Sequence, residues 1–514
     1  METNRSSKPI RDAVSAFSVL LLVSTGLYGA LWWIDLSSVP DADPLSLAVA
    51  PGTINALNSF SEVTVGVLGI AITVVAIIVE LAANRYTPRI TEMFVRDPVN
   101  VMVMATFVLT SILVVWINTS FFGPVHPPVM AAAAVVLISV SLLAILPYFA
   151  YVFDFLSPTR VIQRIQQRAS AHIERLAKGT AKIDRTRHEV SLAIEQLGDI
   201  ALNSIDKKDK PLTIAAINAL AEISRSHLQV KTQLPEPWFE TDILVRTDQD
   251  FIAFHPDIIR KLTHRKTWVE MKLLRQYQAL FGESVNRVRD INHLLAIQTR
   301  RLSLLALDVG DHHAVTLYMR FLNTYMRLGV NGRDVRTCYN LLNEYRALAE
   351  SAAARGADDV VVELAERIKY YGQLAFQFKL GFLLETAAYD LCALIESVSD
   401  QESQCHDDLL ALFLQLDREP ESGKVQETSL RGVRKAQIKL ALHYLVRGND
   451  ELARRIFDDM STEKPERLHG IRLELEAVES DEYWEVSDRG INFEWLDPER
   501  RAMLPTFFSW FEAT

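Results

Sequence analysis

The sequence predicts an all-α fold, in which a four-helix transmembrane domain precedes a large, mostly helical cytoplasmic domain. Two observations predict this division. Long apolar runs with almost no charged residues lie before residue 157, and amphipathic helical periodicity prevails from there onward. One segment departs from the helical pattern. Residues 243–245 and 251–254 are short apolar runs on either side of a polar turn, and this arrangement is typical of a small β-hairpin.

Four apolar stretches are long enough to be transmembrane helices, which need about 20 residues to cross the hydrocarbon core. They cover residues 13–34, 59–81, 101–121 and 128–153. Helices are expected because backbone groups in lipid must form hydrogen bonds within the chain. The predicted parts are a transmembrane domain (1–157), a stalk with the first cytoplasmic helices (158–230), a linker with the candidate β-hairpin (231–259), a helical, partly repeat-like domain (260–473) and an acidic, aromatic tail (474–514).

Basic residues beside the four stretches predict their orientation. Lysine and arginine occur before the first stretch, between the second and third, and after the fourth, whereas the loops at 35–58 and 119–127 contain none. Because basic residues are enriched in cytoplasmic loops, both termini are expected in the cytoplasm. Trp32 and Trp33 at the far end of the first stretch suit an interfacial anchor, so we expect this helix to remain uncleaved.

The second stretch carries small and polar residues at steps of three and four, which places them on one helix face. The residues of this span-two stripe are Glu62, Gly66, Gly69, Thr73, Ala76 and Glu80. One interpretation is helix packing, because small residues allow neighbouring backbones to approach closely. The other is the lining of an ion pore with a carboxylate at each mouth, as in cation-selective channels.

Arginines on the predicted cytoplasmic side are candidates for contact with anionic lipid headgroups. They are Arg85, Arg89, Arg96, Arg160, Arg164 and Arg168. The last three follow one another at steps of four and therefore share a helix face. An equally good interpretation is that these charges only set the topology. The lipid bilayer is an expected partner in either case.

Several segments resemble the signature of a bacterial family of predicted membrane proteins, domain of unknown function 2254. They are residues 81–89 (LAANRYTPR), 94–97 (FVRD), 196–201 (QLGDIA) and 209–215 (DKPLTIA). Residues 204–207 depart from the Ser-Pro-Gly stretch that the family shows before the last segment. The resemblance covers residues 10–300 and implies a multi-pass protein of the bacterial inner membrane. It implies no mechanism, since the family has no known activity.

A second resemblance lies near residues 435–466 and is to a tetratricopeptide-type helical hairpin. The small–aromatic–glycine–small–aromatic–proline spacing is carried by Ala441, Tyr444, Gly448, Ala453, Phe457 and Pro465. Small residues allow two helices to touch, and aromatic residues fill the wedge between them. Only one copy is clear, so we expect a repeat-like hairpin in an irregular helical domain, with Tyr444 and Phe457 as candidates for partner binding.

The tail combines acidic residues with aromatic residues, among them Trp484 and Trp495. One interpretation is a solvated acidic linker whose aromatic residues dock on the chain's own domain. The alternative is capture of a basic partner segment, because acidic, aromatic segments can fold on binding. Trp484 and Trp495 are therefore further candidates for partner binding.

Composition narrows the function classes. The formal net charge is −10, with no concentration of basic residues, so no nucleic-acid partner is expected. Cys338, Cys392 and Cys405 lack metal-ligand spacing, and the common phosphate-binding, hydrolase, zinc-protease and calcium-loop motifs are absent from the sequence. We therefore expect neither an enzyme nor a bound metal or cofactor.

Two function hypotheses follow from these patterns. The first is a membrane-anchored scaffold or regulatory protein whose cytoplasmic domain binds a protein partner. The second is an oligomeric ion channel or permeation protein, in which the span-two stripe of several identical chains lines the pore.

Overall fold

The structure is a computed structural model that describes residues 7–37, 51–85, 91, 94–120, 128–241, 248–400, 404–416, 427–481, 488–489 and 492–512. The described residues form nineteen α-helices and two 3-10 helices, Lys231–Gln233 and Glu236–Phe239, and they contain no strand. The all-α prediction is therefore confirmed. The chain divides into two compact units, a membrane unit (Met1–Val161) and a helical unit (Ile162–Thr514).

The membrane unit contains four long helices at the positions that hydropathy predicts. They are α1 (Ser7–Ser37), α2 (Pro51–Arg85), α3 (Pro98–Ser120) and α4 (Pro128–Phe155). Two stretches, Pro98–Ser120 and Val129–Phe155, are long and apolar enough to cross a membrane, and a shorter apolar stretch, Val65–Leu81, lies within α2. The described residues thus show two clear candidate spans out of the four predicted.

Helices α3 and α4 form the centre of the membrane unit, because α1 and α2 both pack against them. Val114, Ile117, Met130, Ala134 and Ile138 form the buried apolar core between α3 and α4. A few polar contacts fasten the helices to one another. The hydroxyl of Ser141 donates to that of Thr110 at 2.9 Å, which links α4 to α3 within their apolar stretches.

Helix α4 does not continue into the next helix without a break. Helix α4 ends at Phe155, and α5 (Pro158–Ala177) begins after a turn. Pro158 explains this break, because proline lacks the N–H that a continuing helix needs but suits the first helical position. A further break follows α5, where Gly179 has φ of 72° and the next helix begins at Ile183.

The helical unit is a two-layered array of antiparallel helices. After α5 come α6 (Ile183–Asp206), α7 (Lys210–Val230), α8 (Pro256–Arg265), α9 (Trp268–Ser284), α10 (Arg289–Asp308), α11 (His312–Asn331), α12 (Val335–Ala353), α13 (Asp358–Gln377), α14 (Gly381–Asp400), α15 (His406–Phe413), α16 (Glu427–Val446), α17 (Asp450–Met460), α18 (Pro465–Glu476) and α19 (Pro498–Glu512). Helices α7, α10, α12, α14 and α16 are successive neighbours in one layer. Helices α6, α9, α11, α13 and α15 are successive neighbours in the other.

One turn conformation recurs between the helices of this array. A residue with positive φ precedes the next helix at Lys208, Lys266, Gly310, Arg333, Gly356, Lys379 and Gly448. In each case the next backbone N–H donates to the carbonyl five residues earlier, at distances between 2.8 and 3.1 Å. The helix–turn–helix arrangement therefore recurs outside residues 435–466.

Side chains of the following residue complete four of these turns. Asp209, Asp311, Asp334 and Asn449 each accept a hydrogen bond from the backbone N–H three residues later. Such N-caps satisfy one of the unpaired N–H groups at a helix start and contribute about 1 kcal/mol each. The array thus repeats one type of connection, in which a turn with positive φ ends one helix and an N-cap residue begins the next.

The predicted β-hairpin is wrong where it can be compared with the structure. Residues 251–254 form turns: Phe251 N–H donates to Asp248 O at 3.1 Å, and Phe254 N–H donates to Phe251 O at 3.0 Å. The carboxylate of Asp248 is bound by Lys272, which holds this segment against α9 rather than in a strand pair. The other predicted strand, residues 243–245, lies outside the described residues.

Candidate partner-docking face

The tail crosses one layer of the helical array and contacts three neighbouring helices there. Residues 488–489 and 492–497 lie against α12, α14 and α16. We name the contacted surface the docking face, and its residues are Arg336, Tyr339, Asn340, Tyr389, Asp390, Glu396, Lys435 and Lys439.

Arg489 is the deepest part of this contact. Its guanidinium donates to both carboxylate oxygens of Asp390, at 2.7 and 3.0 Å, and also to the backbone carbonyl of Tyr339. The side chains of Arg489 and Asp390 are only 4% and 2% exposed. A buried carboxylate is costly unless it is paired, so this bidentate pair determines how the tail sits.

Aromatic rings surround the arginine. The guanidinium of Arg489 lies 4.1 Å from the centre of the Tyr339 ring. Phe493, four residues further on, stacks on Tyr389 with ring centres 5.2 Å apart. On the far side of Asp390, Arg346 donates to the same carboxylate at 3.1 Å, so two arginines orient the acceptor. The result is a socket for one arginine and one aromatic side chain.

Ion pairs flank this socket on both sides. Before Arg489, the carboxylate of Asp488 accepts from the guanidinium of Arg336 at 2.6 Å. After Phe493, the carboxylate of Glu494 accepts from Lys435 at 2.7 Å. The docking face therefore presents cations to Asp488 and Glu494 of the tail and an anion to Arg489.

The tail backbone is held as well. Lys439 donates to the carbonyls of Phe493 and Trp495 at 3.0 and 3.1 Å. Burial lowers the pKa of Lys439, and the neighbouring thiol of Cys392 opposes that shift. A cavity of about 300 Å³ lies beside these contacts, and its lining includes Cys392, Trp495 and Arg500. Burial raises the pKa of Cys392, which makes its thiol a poor nucleophile.

Glu385 on α14 carries a carboxyl group that lies near the Glu494 carboxylate of the tail. Burial, together with the nearby carboxylate of Glu494, raises the pKa of Glu385 to about 7, although Lys435 acts in the other direction. Gly432 on α16 leaves the room for this side chain, because a Cβ there would lie 2.4 Å from the Glu385 carboxyl carbon. Glu385 therefore changes charge near neutral pH next to a tail contact.

The four predicted partner-binding residues occupy different environments. Tyr444 is buried in the α16–α17 hairpin, where its hydroxyl lies 2.9 Å from Nε2 of His406. Phe457 packs on Phe511 of the tail, with ring centres 4.6 Å apart. Trp495 is half-buried beside the cavity. Trp484 lies outside the described residues.

Sequence reasoning missed the residues that build the socket. Asp390 and Arg489 are 99 positions apart, so local spacing carries no sign of their pairing. One signal was present: Arg489 is the only basic residue between 474 and 499 in an otherwise acidic tail. A lone arginine among carboxylates favours a specific partner elsewhere in the chain.

The span-two stripe faces away from the other helices of its own chain. All six of its residues are exposed, whereas Leu68, Ala71, Val75 and Val79 on the opposite face of α2 are buried. The Thr73 hydroxyl donates to the carbonyl of Gly69 at 2.9 Å, which satisfies it within the helix. The stripe is thus available to lipid or to another chain.

The six basic residues are not gathered into one observed cluster. The side chain of Arg85 and all of Arg89 lie outside the described residues. Arg96, Arg160 and Arg168 are exposed, and Arg164 is half-buried. Arg160 lies 3.4 Å from the carboxylate of Asp154, an exposed pair that contributes little to stability.

Two of the family-like segments have clear structural roles. Asp97 caps α3 by accepting from Val99 N–H at 3.0 Å, and Tyr151 of α4 donates to the same oxygen. Gly198 leaves room for Gln276, since a Cβ there would lie 2.1 Å from its Oε1. Gln276 in turn donates to the carboxylate of Asp250 at 2.9 Å. Helix capping thus explains Asp97, and close packing explains Gly198.

A second set of buried charges holds α7, α9 and α11 together. Burial opposes ionisation of Glu270, but Lys231 and His227 outweigh it and lower its pKa to about 2. Trp238 Nε1 donates to Nε2 of His227 at 3.1 Å, so the ring donates from Nδ1 to Glu270. In the described part of the chain, His, Cys, Asp and Glu side chains form no group of three that could hold a metal ion.

These features define the class of protein: a chain with apolar membrane helices, joined to a helical repeat array. Residues 13–198 match the family model described as "Predicted membrane protein (DUF2254)", which confirms the resemblance over this part of the chain. The match ends before residues 209–215, whose likeness to the family stays a prediction.

The remaining comparisons add little. No curated protein matches the chain. Among solved structures, one similar chain is a circular tandem repeat protein with novel repeat topology and enhanced subunit contact surfaces. It is 14% identical, the match covers 88% of this chain and 96% of that one, and the TM-score is 0.28. That score is too low for any inference about this protein.

Proposed function

We propose that the protein is a membrane-anchored scaffold or regulatory protein whose helical unit binds a protein partner in the bacterial cytoplasm. The observation that carries this proposal is the tail seated across α12, α14 and α16, with Arg489 buried against Asp390. A surface that takes up a peptide-like segment by paired charges and aromatic contacts is suited to protein recognition.

The anchor in this proposal consists of four transmembrane helices, with both termini in the cytoplasm. Exposed apolar side chains on α1 and α2 support the two spans that are less clear by length and composition. Leu22 and Ile70, for example, are 73% and 66% exposed. Contiguous apolar surface of this kind is unfavourable in water and suits lipid. The basic residues beside the helices support the orientation.

Thiol labelling in intact bacterial cells tests this topology. The three native cysteines are buried, so an introduced cysteine supplies the signal. We expect a membrane-impermeant thiol reagent to label Ala42→Cys in intact cells, and the exposed Thr180→Cys only after lysis. Labelling of Thr180→Cys in intact cells, or protection of Ala42→Cys, would contradict the proposed orientation.

Photo-crosslinking in cells tests partner binding. Phe382 on α14 is exposed and stacks on Tyr339 of the docking face, with ring centres 5.7 Å apart. Tyr370 on α13 is an exposed aromatic residue of the other layer and provides the matched control. With p-benzoyl-phenylalanine at either position, we expect one intermolecular adduct from position 382 that position 370 does not form. Identical adducts from both positions would reject the docking face as the binding surface.

A second candidate function is an oligomeric ion channel or permeation protein. The specific support is the exposure of the whole span-two stripe, since a pore-lining face must be open to a central axis between identical chains. Ion flux into liposomes that carry the full-length protein tests this candidate against the double variant Glu62→Gln, Glu80→Gln. Flux that the double variant alters supports a pore, whereas tight liposomes with correctly inserted protein support an anchor.

A further inference from the structure

We propose that the docking face recognises a protein segment with an acidic residue directly before an arginine and an aromatic–acidic pair four residues after it. The chain's own Asp488, Arg489, Phe493 and Glu494 occupy the face as an internal version of that segment. A partner must therefore displace the tail in order to bind. This inference rests on the proposed scaffold function and deepens it.

The socket requires arginine rather than a generic cation. Two N–H groups of Arg489 meet the two oxygens of Asp390, and a third contact reaches the Tyr339 carbonyl. A planar guanidinium makes these contacts while it stacks on the Tyr339 ring, 4.1 Å away. A lysine ammonium is a point charge that cannot form the parallel pair or stack in the same way.

The spacing follows from where the aromatic ring sits. Phe493 stacks nearly parallel on Tyr389, at an interplanar angle of 9°, and its edge contacts Tyr339. The arginine and aromatic positions are thus held by adjacent residues on α14, Asp390 and Tyr389. A segment with a different separation between arginine and aromatic residue cannot fill both positions at once.

Charges at the two ends add selectivity. Arg336 meets the acidic residue before the arginine, and Lys435 meets the one after the aromatic ring. A segment with basic residues at these two positions would face cations on the docking face. Rim charges of this kind discriminate between partners more than they strengthen binding.

The tail competes because it belongs to the same chain. A tethered segment acts at an effective concentration on the order of millimolar, so a free segment of the same sequence binds weakly while the tail is seated. Weakening the tail should expose the socket. This makes tail release the step that controls access to the docking face.

The test uses the full-length protein in detergent and a fluorescent peptide with the sequence of residues 486–497. We expect the peptide to bind the Arg489→Ala protein at least about tenfold more tightly than the wild type, because the tail loses its anchor. The same peptide with Arg489→Lys should bind that protein at least about tenfold more weakly. Adding Asp390→Asn to the Arg489→Ala protein should abolish binding, whereas Asp359→Asn, an exposed control on α13, should not.

Three results of the peptide-binding measurements would overturn the inference. They are equal binding of the arginine and lysine peptides, no binding to a folded Arg489→Ala protein, and binding that Asp390→Asn leaves unchanged. If the Arg489→Ala protein does not fold, the test is instead the hydrogen exchange of residues 488–497 in the wild type. A large excess of the peptide should accelerate this exchange, and unchanged exchange would overturn the inference. Light scattering that shows a dimer through exchanged tails would also overturn it. If the peptide test fails but the crosslinked adduct from position 382 still forms, the scaffold function stands and only the proposed recognition by the socket is rejected.

Discussion

The two units of this protein arrange polar and apolar side chains in opposite ways. The membrane unit exposes large apolar residues, such as Leu146 at 77%, and buried polar groups such as Asp35 and Ser141 connect its helices. The helical unit buries its apolar residues and also buries complete charges, such as Lys272 and Glu270. The surface of the membrane unit is thus suited to lipid, and the surface of the helical unit is suited to water.

This contrast indicates which contacts determine how the helices pack in each unit. In the membrane unit, single polar contacts such as Ser141 to Thr110 define how apolar helices meet. In the helical unit, repeated turns supply the architecture, and buried ion pairs fix how successive helices and the tail align. Substitutions in the two units should therefore differ in size and in kind.

The largest effect is expected for Lys272→Met in the helical unit. Lys272 is fully buried and donates to Asp248 and Asp250 at 2.7 Å, so its loss leaves two carboxylates without their cation. Removing one member of a buried pair costs about 3–5 kcal/mol in the free energy of unfolding. Denaturant unfolding followed by circular dichroism measures it, with the exposed Lys261→Met as control. A loss no larger than the control's would show that the buried charges are not a source of stability.

A smaller loss is expected for Gly198→Ala, which tests whether the family-like glycine acts through packing. A Cβ at this position would lie 2.1 Å from Gln276 Oε1 and 2.9 Å from its Cδ. The Gln276 side chain must then move away from Asp250, and we expect a loss of about 2 kcal/mol in the free energy of unfolding. The double variant Gly198→Ala, Gln276→Ala should recover part of this loss in the same unfolding measurement. No recovery would place the cost elsewhere in α6.

Hydropathy and periodicity made most of the architecture predictable, because burial in lipid and burial in a helical array both leave regular patterns. The repeat was recognised only once since its unit is largely a backbone conformation. Four of the seven recurrent turns have Lys208, Lys266, Arg333 or Lys379 at the positive-φ position, where glycine would have marked the turn. A non-glycine residue in this conformation leaves no compositional sign.

The docking face was less predictable than the fold. Aromatic residues drew attention to Tyr444, Phe457, Trp484 and Trp495, although Tyr444 lies inside the array. The socket depends on Asp390, which has no special neighbours in the sequence and acquires its role only when the tail returns to α14. Long-range pairing of this kind follows from the fold and has no local pattern.

A moderate effect is expected for Asp35→Ala in the membrane unit. The buried Asp35 carboxylate of α1 accepts from the N–H groups of Val129 and Met130 at 3.0 and 2.9 Å and so caps α4. Loss of a cap costs about 1–2 kcal/mol, less than the loss of a buried ion pair. Thermal stability of the full-length protein in detergent measures it, and Asp35→Asn, which keeps one acceptor oxygen, should lose less. Equal losses would show that the carboxylate acts by charge rather than as a cap.

The smallest effect, and one of opposite sign, is expected for Glu385→Gln. The pKa of Glu385 is raised from 4.5 to about 7, so the folded protein holds its proton more tightly than the unfolded chain. The contribution of this group to stability is therefore fully present below pH 4.5 and is lost as the pH rises to about 7. Above that pH, Glu385→Gln should raise the free energy of unfolding by about 1 kcal/mol, since Lys435 and solvent reduce the effect of the shift.

The diagnostic signature of Glu385→Gln is a flatter pH dependence together with slower hydrogen exchange of residues 488–497 at pH 8. The flatter pH dependence follows from removing a carboxyl group whose pKa is raised mainly by burial, and the slower exchange follows from removing the repulsion between Glu385 and Glu494. The exposed Glu366→Gln on α13 should change neither quantity. If the two variants behave alike, the carboxylates of α14 and the tail do not interact. In that case the Glu385 carboxylate does not weaken the binding of the tail. Release of the tail would then not depend on pH near neutrality.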